Sequence, residues 1–270
     1  MDLSLIKEKL NSFENKGNNF KKTDYEQIYW KPTVGKQQIR IVPSKFNEKN
    51  PFTELLFYYG IGDKKVMISP TNFGNEDPIY DFVKELYKTN DKDNWALAKS
   101  LKAKTRYFVP VVVRGEEDKG VRLWQFGTQV YKELLSIAMD EEIGDYTDVY
   151  EGRDITVETV GPEVTGTRYN KSSVRVKIKQ TPLSDNAADV DSFLSNQKDP
   201  KSLHKQYTFD EMKSTLQSHL SPEDQYQEGD IIDEGDTDTN YTLNVAPKKT
   251  KSDEFDELFG DESNTDDLPF

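Results

Sequence analysis

Hydrophobic positions in this chain come in short runs whose period switches between about 3.6 and about 2 residues. In LSLIKEKLNSF (residues 3–13), Leu3, Ile6, Leu10 and Phe13 share one helical face. That predicts a short amphipathic helix, which either docks on a neighbour or caps its own core. GNN (17–19) then reads as a linker. QQIRIV (37–42) alternates Ile39 and Ile41 with Arg40, and PSK (43–45) closes it as a turn. FTELLFYYG (52–60) and KKVMI (64–68) predict two strands joined through Gly60 and Gly62. DPIYDFVKELY (77–87) returns to helical spacing. There Asp77 is placed to cap, Pro78 takes the first helical position, and Ile79, Phe82, Val83 and Leu86 form the apolar face.

Beyond residue 100 the pattern repeats. TRYFVPVVV (105–113) and VRLWQF (121–126) flank the Gly-bounded loop RGEEDKG and predict a hairpin. TQVYKELLSIA (128–138) is helical, and DITVETV (154–160) and SSVRVKIKQ (172–180) are strand-like. In TFDEMKSTLQSHL (208–220), Thr208 and Glu211 form a capping box, with Phe209, Met212, Leu216 and Leu220 on one face. Roughly seven short strands with a few helices predict a mainly β fold, a barrel or sandwich with inserted helices.

Charge changes the picture at one end. The chain has 270 residues and a net charge of −13. Residues 222–270 hold 16 Asp and Glu against three Lys, which is the whole imbalance; residues 1–221 hold 33 of each sign. Such an acidic, Gly/Thr/Asn-rich and weakly periodic segment is expected to be disordered. Within it, DEFDELF sets Phe255, Leu258 and Phe259 at helical spacing among Asp253, Glu254, Asp256 and Glu257. That is the pattern of a segment that docks on a partner; a tail that only confers solubility is the alternative. The stretch from Asp236 to Asn240 begins like a calcium loop, but it lacks the sixth-position Gly and has Pro247 at the twelfth, so it is rejected. Without a single Cys, disulfides, thiolate metal sites and Cys nucleophiles are excluded, which fits a reducing cytoplasm. No run approaches about 18 apolar residues, and the start lacks a signal-peptide core, so a soluble intracellular protein without a membrane partner is expected.

Against this acidic total stand two acid-free basic blocks. KSLKAKTRYFVPVVVR (99–114) contains Lys99, Lys102, Lys104, Arg106 and Arg114; residues 168–179 contain Arg168, Lys171, Arg175, Lys177 and Lys179. In SSVRVKIKQ, Val174, Val176 and Ile178 take one face and Arg175, Lys177 and Lys179 the other. Same-face side chains stand about 6.7 Å apart on a strand, comparable with the phosphate spacing of an extended single strand. Like charges on one face repel, so such a strand implies either an anionic partner or acids paired across the sheet. Tyr107, Phe108, Trp95, Trp124 and Tyr169 lie beside these bases in sequence. Unpaired bases stack on aromatic rings for roughly 1–3 kcal/mol each, whereas a duplex hides its base faces. The combination favours single strands, gripped in one groove lined by cations and rings.

These residues resemble the T4-like bacteriophage single-stranded DNA-binding protein family, the helix-destabilising replication proteins. QQIRIVPSKFNEKNPF (37–52) is similar to the family's I-R-x-x-P-S-K…P-F signature, and LKAKTRYFVPVVV (101–113) to its basic-aromatic strand. RLWQFGTQVYKEL (122–134), VRVKIKQ (174–180) and the Asp-rich end DDLPF follow in the family's order. The resemblance implies an OB-type barrel core over residues 21–221 and a self-association segment over 1–20. It also implies an acidic tail over 222–270 that recruits phage replication proteins in the infected host cytoplasm. By position it implies DNA contacts from Arg40, Lys45, Tyr87, Trp95, Lys102, Lys104, Tyr107 and Phe108, followed by Arg122, Trp124, Arg175 and Lys177. Arg106, Arg168 and Lys179 join them as members of the two basic blocks. The chain departs from the family twice. The segment matching the family's zinc site reads SPTNFGNEDPIY, with no Cys or His, so a zinc-less variant is expected, held by Phe73, Ile79 and Phe82. The family's clustered N-terminal basic run is reduced to Lys7 and Lys9, so self-association is in doubt or runs through the apolar face.

Two other classes compete. An enzyme would have to work with His204 and His219, far in sequence from the basic strands, and no phosphate loop or nucleophile elbow appears. Asp140, Glu141 and Glu142 read as a solvated helix end. The remaining class is an interaction scaffold whose core binds an acidic protein or RNA.

Overall fold

The computed structural model describes residues 22–47 and 49–220. The expected helix at 3–13, the linker at 17–19 and the tail from residue 222, with Asp253 to Phe259, lie outside the described residues. In chain order the elements begin with α1 (Lys22–Ile28), β1 (Tyr29–Trp30), β2 (Gly35–Ile41), β3 (Thr53–Ile61) and β4 (Lys64–Ile68). They continue with α2 (Pro78–Lys88), α3 (Lys92–Leu101), β5 (Lys104–Val113), β6 (Arg122–Phe126) and α4 (Thr128–Ala138). The last are β7 (Arg153–Val160), α5 (Pro162–Thr165), β8 (Lys171–Gln180), α6 (Ala187–Ser195) and α7 (Phe209–Leu220). Residues 21–221, expected as one core, divide into two compact units: residues up to 55 with 105–204, and residues 56–104 with those from 205 onward.

The first unit is built on the strand order β1-β6-β5-β2-β7-β8. β1 is parallel to β6, and the other pairings are antiparallel. Alternation puts Ile39, Ile41, Val109, Val111, Trp124, Ile155, Val157 and Val174 into one core with Trp30, Phe52 and Phe126. β1 and β8 end the path and do not pair with each other among the described residues. The sheet is therefore open, where a closed barrel was one expectation. Even so, Trp30 from one end and Val174 from the other share a core, so the sheet curls. Helix α4 packs against β8, adding Val130 and Leu134 to that core. Its Glu133 Oε2 accepts a hydrogen bond from the Val174 N–H (3.1 Å), satisfying a donor on the terminal strand.

The opposite face of β2 and β5 is covered too. Val42, Val112, Leu183 and Phe193 form a smaller cluster there, closed by the segment that follows β8 and by α6. This second cover was not legible in the strand pattern, and it moves several expected surface residues into the interior.

The second unit packs the β3–β4 hairpin, α2, α3 and α7 around Tyr58, Ile61, Met67, Ile79, Phe82, Leu86, Ala98, Leu101, Met212 and Leu216. Ile79 and Phe82 serve as expected; Phe73 is half-buried outside this cluster. Helix α3 escaped the sequence pattern because its buried positions are Asn94, Ala98 and Leu101, of which one alone is a large apolar residue. A polar staple accompanies the apolar packing. Asp77 Oδ1 caps α2 by accepting from Ile79 and Tyr80 N–H, both 3.1 Å. Its Oδ2 accepts from the Tyr58 hydroxyl (2.9 Å) and from Ser69. Burial, and then the charge of Asp77, pushes the Tyr58 phenol up, so it stays a donor. Asp77→Ala removes the cap and orphans two hydroxyls, and is expected to cost about 2–4 kcal/mol. Asp77→Asn keeps the cap and is expected to lose less. Urea unfolding checks both; a loss below about 1 kcal/mol for the Ala variant would remove the staple from the account.

Candidate nucleic-acid interface

In the first unit the cations of β8 face solvent. Arg168, Lys171, Arg175, Lys177 and Lys179 are exposed, and among the described residues none makes an ion pair. Across the ladder Arg175 meets Thr156, and the nearby Glu158 pairs instead with Lys36 at 3.7 Å. Acids do not neutralise this strand from its neighbour. Tyr169 is 78% exposed in the connection leading into β8. The apolar face of β8 fades along its length: Val174 is buried, Val176 half-buried, and Ile178, expected in the core, is 87% exposed. The strand outlasts the core beyond a register shift opposite Arg153 to Ile155.

In the second unit Lys102 and Lys104 are exposed at the end of α3 and the start of β5. Lys104 Nζ lies 5.8 Å from the Tyr59 ring centroid, within cation–π range. Tyr87 is exposed, and Trp95 is 50% exposed. The Trp95 indole N–H donates to the Thr89 carbonyl at 2.6 Å, which fixes the ring while leaving part of it open. The same face of α2 offers two residues that sequence reasoning passed over, Tyr80 and Lys84, at helical spacing with Tyr87. Their signal was the polar face of the helix, where only the apolar one was read.

Other expected contacts are internal. Arg40 is 0% exposed. Its guanidinium donates to Asp154 Oδ1 (3.4 Å), to Thr181 Oγ1 (3.3 Å) and to the Thr181 carbonyl. Burial lowers its pKa to about 10 despite the attraction of Asp154. Arg114 donates from Nε and Nη2 to the same carboxylate oxygen, at 3.0 and 2.9 Å. Arg122 is buried and donates to Glu116 in the hairpin loop at 2.6 Å. That bond is the main reason the Glu116 carboxyl titrates below its usual range. Trp124, 1% exposed, meets Trp30 edge-on, and Phe108 is fully buried beside His204. Tyr107 is buried and stacked on Tyr131 at 3.8 Å. These side chains pack the fold and offer no open face for stacking. Arg106 is half-buried with its guanidinium against Gly127, and Lys45 is exposed with Nζ donating to the Ser195 carbonyl at 3.2 Å.

Solvent-facing cations without acidic partners among the described residues, and rings open to solvent, give a surface that suits a polyanion carrying flat, stackable groups. The chain carries that chemistry within a known family. A family model described as gp32 DNA binding protein like matches residues 33–218, and the chain belongs to this family of T4-like single-stranded DNA-binding proteins. No curated protein matches the chain.

Proposed function

We propose that this protein coats single-stranded DNA without reading its sequence, in phage replication, recombination and repair. The observation that carries this reading is the row of exposed cations on β8, Arg175, Lys177 and Lys179, without an ion pair among the described residues. Phosphates bind these and the Lys102 and Lys104 pair, while bases stack on Trp95, Tyr87 and Tyr169. The curled but unclosed sheet fits a partly open OB-type barrel. Titration with poly(dT) tests the reading. Trp30 and Trp124 are buried, so quenching of intrinsic fluorescence is expected to come from Trp95 and to vanish in Trp95→Phe. Unquenched fluorescence and no binding would point instead to an acidic protein partner.

The tail supplies regulation in this scheme. Its 16 acids are tethered to the protein they would compete on. With an effective concentration of about 1 mM and a weak affinity of about 0.1–1 mM, deleting residues 222–270 tightens DNA binding about 2- to 10-fold at low salt. Unchanged or weaker binding of the truncated protein would rule out competition. Once DNA displaces the tail, DEFDELF is free to hold a replication protein, and the N-terminal segment joins neighbouring copies along the strand.

A further inference from the structure

Helices α2 and α3 of the second unit turn their buried sides to one core, where Ile79, Phe82, Val83 and Leu86 meet Ala98 and Leu101. The outward face of such a helix is ordinarily charged or polar. Here each outward face carries rings among its lysines. On α2, Tyr80, Lys84 and Tyr87 stand at i, i+4 and i+7; on α3 and its C-terminal cap, Trp95, Lys99 and Lys102 have the same spacing. All six are exposed, Tyr80 by 53%. The two rows meet at one end. The hydrogen bond from the Trp95 indole to the Thr89 carbonyl holds that ring at the C-terminal end of α2, two residues past Tyr87.

Neither Tyr80 nor Lys84 has a task inside the unit. Among the described residues the Tyr80 hydroxyl and the Lys84 ammonium make no hydrogen bond or ion pair. The acids of α2 are engaged elsewhere: Glu85 pairs with Lys88 at 2.5 Å, and Asp81 lies in the first turn, where it complements the helix dipole. The backbone beneath Tyr80 is fixed. Its N–H donates to Asp77 Oδ1 at 3.1 Å, while Asp77 Oδ2 accepts from Tyr58 and Ser69. An open ring on a rigid element suits stacking on an unpaired base, because little ordering entropy is lost on contact.

We propose that the bound single strand continues along α2 beyond Trp95, with a base stacked on Tyr80 and a phosphate on Lys84. The inference rests on the single-strand reading above and lengthens the path in the second unit. Tyr80 and Tyr87 stand about 10 Å apart along the helix axis. That is one to two steps of about 6.7 Å, the spacing that β8 also matches, with Lys84 between the two rings.

The test uses the full-length protein, fluorescein-labelled oligo(dT) and a salt series, with Tyr80→Ala, Tyr80→Phe and Lys84→Ala. Tyr80→Ala should bind about 5- to 10-fold more weakly with an unchanged slope of log affinity against log salt, as expected for one lost stacking contact. Tyr80→Phe keeps the ring and should stay within about 2-fold of the wild type. Lys84→Ala should bind more weakly and shrink the slope by about 0.7, one single-strand phosphate contact. If the wild-type protein binds while either alanine variant matches it, or if Tyr80→Phe loses as much as Tyr80→Ala, the α2 path is overturned and the single-strand reading stands. If the wild-type protein fails to bind oligo(dT), both fall together. The replaced side chains are exposed, so unfolding midpoints should match the wild type and keep the comparison clean.

Discussion

Replacing Arg175 and Lys177 together by alanine should flatten the salt dependence of DNA binding more than any other pair of changes in the first unit. Both side chains are exposed and, among the described residues, without acidic partners, so their charge is available to phosphate and removing it disturbs no pair there. A protein that neutralises about four phosphates of a single strand has a slope near −3; removing two contacts brings it to about −1.4. Between 0.05 and 0.2 M salt, the wild type should then lose roughly 50-fold in affinity and the variant about 7-fold. Equal slopes for the two proteins would mean that β8 does not touch the backbone of the DNA. The same measurement on Arg40→Ala cannot be read this way, because that change strips a buried charge from the fold.

The largest stability loss is expected from Asp154→Ala. One carboxylate oxygen there receives the fully buried Arg40 and, in two hydrogen bonds, Arg114. Those two guanidiniums also tie down the chain after β8, through the carbonyls of Thr181, Pro182 and Leu183. Without Asp154 two like charges face each other, one of them cut off from water, at a cost of about 3–5 kcal/mol. Replacing both members of the buried pair, as in Arg40→Met/Asp154→Asn, should recover part of that loss because no uncompensated charge is left inside. Urea midpoints with matched m-values decide the matter. An Asp154→Ala variant within about 1 kcal/mol of wild type would show that Arg40 finds other compensation.

Much of the architecture was legible before any coordinates. Asp77 and Pro78 at the start of α2, the Thr208–Glu211 box at α7, and the alternation of β2, β5 and β8 are local signals that need no distant partner, and each element forms where its pattern places it. The short strand β1 near residue 30 and the α3 helix were not legible, because Tyr29–Trp30 is too short to show a period and α3 buries small or polar side chains.

The candidate site was legible by type and only in part by position. Lys102, Lys104, Arg175, Lys177 and Lys179 were picked from their period and are exposed, and Tyr87 and Trp95 are open rings. Arg40, Phe108, Arg122 and Trp124 come from the family resemblance, position by position, and are interior. Period two sorts a strand's side chains between two faces, and the sequence alone determined that sorting, along with the segregation of acid into the last 49 residues. How many of those faces are covered depends on segments distant in the chain. For β2 and β5 it was residues 181–195, folding over Arg40 and Val112, that turned an expected surface into a second interior. Only the tertiary structure decided that, because contacts between residues so far apart in sequence leave no periodic trace.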